Sequence, residues 1–115
     1  LDKLEVNAGM LIENIVAQML VAAGHNLYFY SNSDKEEAEN RMEIDFLIRK
    51  DNVTSRHNII PIEAKSSSGY TTHSLNKCAQ KFKEHITLPT VLHPADYNED
   101  TDGKRYLPLY MTPLL

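Results

Sequence analysis

Three charged side chains in the middle of the sequence have the types and spacing of a metal-dependent hydrolytic site. Glu63 and Lys65 are two residues apart in an apolar run, so a β-strand would carry both on one face. Asp45 lies in the preceding apolar run, and a hairpin of the two runs would bring it to about 5 Å from Glu63. Two carboxylates at that separation repel each other unless a proton or a cation lies between them.

A magnesium ion fits this set, because it takes one or two carboxylates and keeps several waters. A lysine beside the ion could orient or deprotonate an attacking water and stabilise the developing negative charge. Asp45, Glu63 and Lys65 around Mg²⁺ therefore point to hydrolysis of a phosphodiester. A plainer interpretation stays open, since short E-x-K patterns occur by chance and Lys65 could simply pair with Asp45 in a salt bridge.

The elements that must position these side chains begin with a helix. Apolar residues recur there at spacings of three and four and fill about half of the helix circumference. They are Leu11, Ile12, Ile15, Val16, Met19, Leu20, Ala22 and Ala23. Gly24 is a natural stop, and Glu13 lies at one edge of the apolar arc. Either the helix is buried on most sides, or one face docks on another part of the protein.

Three strand-like runs follow, at 27–30, 43–48 and 58–65, and further short ones are expected at 90–92 and 105–107. Between these two groups, helical spacing predicts a second helix with Ser74 as its N-cap. Its apolar face would consist of Leu75, Cys78, Ala79, Phe82 and Ile86. Three consecutive strands favour a meander, and strand–helix–strand favours a parallel crossover. The order predicts an α/β fold with a mixed sheet and helices against it.

Two details of the strands bear on the site. Simple alternation would place Ile44, Phe46 and Ile48 on one face of their strand and Asp45 on the other. Pro61 cannot donate a ladder hydrogen bond, so a mid-strand position requires that its nitrogen face an unpaired edge.

Length and charge limit the class of protein. A chain of 115 residues with 42% hydrophobic residues is expected to form one domain over 1–115. The net charge of −4 counts against nucleic-acid binding. Residues 34–39 carry −3 and residues 96–102 carry −4, so the remainder carries +3 and a basic face is feasible. Both acidic stretches are expected to be solvated loops.

Cysteine usage and hydropathy suggest a compartment. The single Cys78 rules out a disulfide framework and a multi-cysteine zinc site, and it is expected in the core. This cysteine usage favours a reducing, cytoplasmic location. No apolar run is long enough for a membrane helix, so we expect no membrane association. Because the chain begins at Leu1 rather than Met, we expect it to be a piece of a longer protein.

Several segments together resemble the PD-(D/E)XK nuclease-like superfamily. They are Glu13-Asn14, the run 43–48 (EIDFLI) and the run 60–67 (IPIEAKSS). More narrowly, the chain looks like the C-terminal nuclease-like domain of a prokaryotic AAA-type ATPase family of poorly defined function, whose chains end in a way similar to 106–111 (YLPLYM). The resemblance covers about residues 8–115.

The resemblance implies a restriction-endonuclease-like fold of helix, three-stranded meander, helix and strand. It implies that Asp45 and Glu63 ligate a metal together with the backbone carbonyl of Ala64. Lys65 would be the catalytic lysine and Glu13 an auxiliary acid. The implied cofactor is Mg²⁺, with Mn²⁺ as a substitute, and the implied substrate is DNA or RNA. The ATPase region of the same protein is the implied partner.

Two rival interpretations remain. A catalytically inactive nuclease-fold module could bind nucleic acid or protein, which the acidic total and the nearly charge-free first helix favour. A different α/β domain with a chance E-x-K pattern would hold Asp45 and Glu63 far apart.

Overall fold

The computed structural model describes residues 8–32, 42–49, 58–67, 69–95, 98–99 and 103–115. The acidic stretch 34–39 lies outside the described residues, as does 96–102 except for 98–99. The expectation of a solvated loop is therefore untested for 34–39, whereas within 96–102 it is wrong for Asn98–Glu99, which form a short strand paired with Arg105–Pro108.

The chain forms a mixed sheet of six strands with helices on both faces. The helices are α1 (Ala8–Ala22), α2 (His73–Lys81) and a final 3-10 helix (Leu109–Leu114). The strands are β1 (Tyr28–Asn32), β2 (Met42–Arg49), β3 (Ile59–Ala64), β4 (Thr90–His93), β5 (Asn98–Glu99) and β6 (Arg105–Pro108).

The strands lie in the order β1-β2-β3-β4-β6-β5. The first three form an antiparallel meander, and β4 runs parallel to both β3 and β6. The crossover from β3 to β4 contains α2, because parallel neighbours cannot be joined by a tight turn. The predicted α/β class and the order of helix, meander, helix and strand are confirmed.

Two apolar clusters fill the two sides of the sheet. On one side, Val16 and Leu20 of α1 pack in a cluster that contains Ile62 and Leu92. On the other side, the α2 side chains pack in a cluster that contains Val91. Val91 and Leu92 are adjacent in β4, and successive strand residues point to opposite faces. The two helices therefore cover opposite faces.

Helix α1 buries only part of its apolar arc. Val16 and Leu20 are at most 1% exposed, whereas Leu11 and Val21 are each 58% exposed. The helix is thus not buried on most sides. It ends at Ala22, and Gly24 follows with a φ of 96°, which suits glycine, while the amide of His25 donates to the carbonyl of Leu20. Among the described residues, neither this helix nor any other has the length and hydropathy to cross a membrane.

Strand β2 contains a bulge that the alternation pattern did not predict. Between the pairs Tyr28–Leu47 and Tyr30–Ile44, β1 advances by two residues and β2 by three. An extra residue reverses the alternation of side chains. Ile44 consequently packs in the α2 cluster, while Phe46 packs in the α1 cluster. The expectation that Ile44, Phe46 and Ile48 share one face is wrong for Ile44.

Pro61 lies within β3 at a point where no ladder hydrogen bond is lost. The amide of Ile59 donates to the segment leading into β4, and the amide of Lys65 donates to β4 itself. By alternation, the nitrogen of Pro61 faces the same side. Strand β4 begins only at Thr90, which pairs with Ile62. Pro61 therefore lies just before that pairing begins.

Leu20→Ala is expected to destabilise the protein far more than Val21→Ala on the same helix. Leu20 is fully buried and its truncation leaves a cavity, which costs about 2–5 kcal/mol, whereas a surface change costs less than about 0.5 kcal/mol. Urea unfolding followed by circular dichroism measures both values. Equal losses for the two variants would contradict the placement of α1.

Cys78 is expected to react slowly with Ellman's reagent in the native state. Its side chain is buried, as predicted, and burial followed by the charge of Glu63 raises the pKa of the thiol to about 11. At about pH 8 only about one thiol in a thousand would be ionised. The urea-unfolded chain should react at the rate of a free thiol, and an equally fast native reaction would contradict the burial.

Candidate active site

A polar cavity of about 260 Å³ lies beyond the last paired residues of β2 and β3. It is lined by Glu13, Glu43, Asp45, Glu63, Lys65, Thr71, His73 and Ser74. The cavity therefore brings together the four side chains that the sequence singled out, from α1, β2, β3 and the residue after β3. A larger cavity of about 330 Å³ lies near Arg49, at the other end of β2, and none of these carboxylates lines it.

Asp45 is fixed by a hydrogen bond to the neighbouring strand. The antiparallel ladder ends at Phe46–Ile62, which puts Asp45 and Glu63 next along their strands. Instead of a backbone carbonyl of β2, Oδ2 of Asp45 accepts the amide of Ala64 at 2.8 Å. Asp45 and Glu63 therefore line the same cavity and do not lie far apart.

Glu63 is the most deeply buried acid of the cavity. Its side chain is 4% exposed, and its Oε2 lies 3.3 Å from Nζ of Lys65. That oxygen is buried and accepts no hydrogen bond of good geometry from the described residues. The observed ion pair joins Lys65 to Glu63 rather than to Asp45. A buried carboxylate oxygen with spare acceptor capacity is suited to a cation.

The electrostatics of the cavity disfavour the ionised acids. Burial raises the pKa of Asp45, Glu63 and Glu13, and each of these acids also lies in the field of Glu43. Lys65 acts in the opposite direction on all three pKa values. With four carboxylates and one lysine, the lining has a formal excess of three negative charges. An added cation would relieve this repulsion.

The donor set suits a hard cation held by few protein ligands. Asp45 and Glu63 offer carboxylate oxygens, which Mg²⁺ prefers. The amide and carbonyl of an extended residue point to the same side, so the Ala64 carbonyl shares the edge of β3 that Asp45 occupies. Within the described part of the chain, no three His, Cys, Asp or Glu side chains form a metal-binding group. A metal here would therefore need water or backbone ligands besides these two acids.

The sequence interpretation missed half of the cavity lining. Glu43 is two residues from Asp45, and His73 and Ser74 begin the crossover helix, whose start lies at the same end of the sheet. The start of the crossover helix was foreseeable, because ligands in α/β proteins bind at the carboxyl ends of parallel strands. Ser74 is not an N-cap: α2 begins at His73 after Thr72, and the Ser74 hydroxyl instead accepts the amide of Glu43 at 3.1 Å.

Comparison with known proteins places the chain in a family. Residues 8–112 match the domain of unknown function DUF4143. The chain belongs to the DUF4143 family. Among the described residues, the match covers α1, α2 and the strands β1 to β6, and it includes every side chain that lines the polar cavity. Neither the curated proteins nor the solved structures contain a match to the chain.

In the metal-free DUF4143 domain, Asp45→Asn is expected to raise the free energy of unfolding at about pH 7. The pKa of Asp45 is raised in the folded state, so folding binds protons and stability falls as pH rises above about 3.9, the ordinary aspartate value. Asparagine keeps an acceptor for the Ala64 amide but has no charge. In urea titrations with EDTA, the gain should grow as the pH rises above the ordinary aspartate pKa and level off once the pH has passed the raised pKa of the folded state.

Asp45→Ala provides the control for this prediction. It removes both the charge and the acceptor of the Ala64 amide, and the unsatisfied amide costs about 1–3 kcal/mol. The alanine variant should therefore be less stable than the asparagine variant. A pH-independent difference between Asp45→Asn and wild type would contradict the raised pKa.

Proposed function

We propose that this DUF4143 domain hydrolyses phosphodiester bonds of DNA or RNA with the help of Mg²⁺, for which Mn²⁺ can substitute. The observation that carries the proposal is the convergence of Asp45, Glu63 and Lys65 in one polar cavity, with a buried oxygen of Glu63 that lies 3.3 Å from Nζ of Lys65 and accepts no hydrogen bond of good geometry from the described residues. Buried like charges do not stabilise a fold by themselves, so a set of this kind needs a function or a counterion.

Each side chain has a role in this proposal. Asp45 and Glu63 would hold the metal, with the Ala64 carbonyl as a further ligand. Mg²⁺ would supply activation of water and charge stabilisation at the phosphate. The ammonium of Lys65 would orient the attacking water and stabilise negative charge on the phosphate oxygens. Glu13, on α1 at the edge of the cavity, would support the metal ligands as an auxiliary acid.

The charge of the cavity makes substrate binding dependent on the cation. A phosphodiester is an anion, and the lining has three more negative than positive charges. Without a divalent ion the phosphate would be repelled at short range. Binding of substrate and binding of metal are therefore expected to be coupled, each strengthening the other.

The resemblance to PD-(D/E)XK nucleases adds support from the order of the elements. Helix, antiparallel meander, crossover helix and parallel strand follow one another in the sequence expected for that superfamily. Glu13 lies on α1, Asp45 on β2 and Glu63 on β3, and Lys65 directly follows β3. As part of the same proposal, the domain acts in the cytoplasm, attached to an ATPase region of a longer protein.

Calorimetric titration with Mn²⁺ tests the metal site. Wild type is expected to bind the ion, and Asp45→Asn to weaken binding by at least about tenfold, because it removes a charged ligand without removing the acceptor of the Ala64 amide. Glu84→Gln, which removes an exposed carboxylate outside the cavity, is the matched control. Absence of any binding that depends on Asp45 would remove the metal site from the proposal.

Cleavage of supercoiled plasmid and of single-stranded RNA tests the reaction. In the presence of Mn²⁺, wild type should cleave at least one of them, and Lys65→Ala should reduce the rate by at least about a hundredfold. Lys83→Ala, at an exposed position, should retain the wild-type rate. Cleavage that is unaffected by Lys65→Ala would show that this site is not responsible for it.

One observation favours the second candidate, a non-catalytic protein-binding module. The apolar side chains Met10, Leu11 and Val21 on α1 are each at least 58% exposed. Exposed apolar groups of this size are common at protein interfaces. If Mn²⁺ binds neither wild type nor variants and no substrate is cleaved, this candidate replaces the first.

A further inference from the structure

Tyr70 interacts both with Lys65 and with a buried side chain of the sheet. It lies between β3 and α2, and Nζ of Lys65 is 5.9 Å from the centroid of its ring. On its other side, the Tyr70 hydroxyl is 3.0 Å from Nδ1 of His93. The ring is thus in contact with the lysine and with a side chain of β4.

His93 is a firm anchor for the tyrosine. It is 6% exposed at the end of β4, a strand that pairs on both sides with β3 and β6. Its ring centroid lies 5.7 Å from that of Tyr106 on β6 and 6.0 Å from that of Tyr70. A residue outside the strands and helices, Tyr70, therefore has its hydroxyl fixed by a residue of the sheet.

The Lys65 side chain needs more than one contact to hold its ammonium in a fixed position. A lysine side chain has four rotatable carbons and about 2 kcal/mol of rotamer entropy, so a single contact does not fix its ammonium. The Lys65 side chain is 28% exposed and could turn towards water. Glu63 attracts the ammonium from one side, and the face of the Tyr70 ring attracts it from another, within the about 6 Å range of cation–π interactions.

We infer that Tyr70, anchored by His93, is a positioning residue that holds the Lys65 ammonium beside Glu63. Its catalytic consequence depends on the proposed function, because a positioned ammonium matters for rate only if the site cleaves a substrate. The positioning itself is a property of the folded chain and is measurable without any substrate. A misplacement of about 1 Å in a catalytic group can cost about a hundredfold in rate, so a device of this kind has a use.

Side-chain dynamics test the positioning. In ¹³C relaxation measurements on lysine-labelled protein, the ε-methylene of Lys65 should be more ordered than that of exposed Lys83. Tyr70→Leu should lower the order of Lys65 to that of Lys83. Tyr70→Phe keeps the ring but loses the hydroxyl, so it should lie between Tyr70→Leu and wild type. Tyr110→Leu, at a tyrosine that is 75% exposed, should change nothing. Amide spectra verify that each variant is folded.

The inference is overturned if Lys65 is as mobile as Lys83 in wild type, or if Tyr70→Leu leaves its order unchanged. Where wild type cleaves substrate, Tyr70→Leu should reduce kcat by about tenfold to about a hundredfold with KM little changed, and Tyr70→Phe should restore part of it. An unchanged kcat despite a mobile Lys65 also overturns it. If wild type cleaves nothing, the proposed function fails, while the relaxation data still decide the positioning.

Discussion

The hydrogen bond from the Ala64 amide to the Asp45 carboxylate organises the candidate site. Backbone pairing between β2 and β3 stops at Phe46–Ile62, next to the bulge in β2. The next amide of β3 would lose its partner, and a backbone donor left unpaired away from water costs free energy. Asp45 accepts this amide with its side chain at 2.8 Å. The Asp45 carboxylate thus replaces a strand carbonyl as the hydrogen-bond acceptor, and the sheet fixes its position.

Next to the same bulge, the cavity is lined by residues from both faces of the sheet. Beyond the bulge, β2 continues past the end of β3, and the amide of Glu43 bonds the Ser74 hydroxyl of α2 instead of another strand. Glu13 approaches from α1, which covers the opposite face of the sheet. Bulges are common beside active sites because they redirect one side chain and end strand pairing. Here both effects meet at Asp45.

The sequence alone predicts five of the six described strands and half of the cavity lining, for reasons that can be named. Apolar alternation identified the strands, and the two-residue spacing of Glu63 and Lys65 required a shared face. The bulge could not be predicted, because neither a glycine nor a proline marks it at Asp45 and Phe46. Its effect was to move Ile44 to the α2 side of the sheet, against the alternation. Alternation with a period of two does not reveal an inserted residue, and the pairing of β2 with β1 shows where the insertion lies.

Contacts between distant segments were also beyond the sequence pattern. Tyr70 and His93 are 23 residues apart and meet only because β4 lies beside β3 through the parallel crossover. Serine is a residue type that favours N-cap positions, but the Ser74 hydroxyl instead accepts a hydrogen bond from the amide of Glu43, 31 residues earlier. Sequence-based rules assign a role to such residues from their neighbours in the chain, whereas the order of strands in the sheet decides which side chains they contact. Long-range polar contacts are therefore the part of a site that needs coordinates.

Stability alone does not explain why the cavity contains so many acids. Apolar or neutral residues of similar size would remove the desolvation cost and the mutual repulsion that raise the pKa of Asp45 and Glu63. Lys65 offsets only part of this, since one ammonium faces four carboxylates. Glu63 is held at 4% exposure on a central strand, where it cannot escape to water. The ion pair with Lys65 compensates the Glu63 carboxylate only in part, and a bound cation would offset the remaining repulsion, which is why the proposed chemistry centres on a cation.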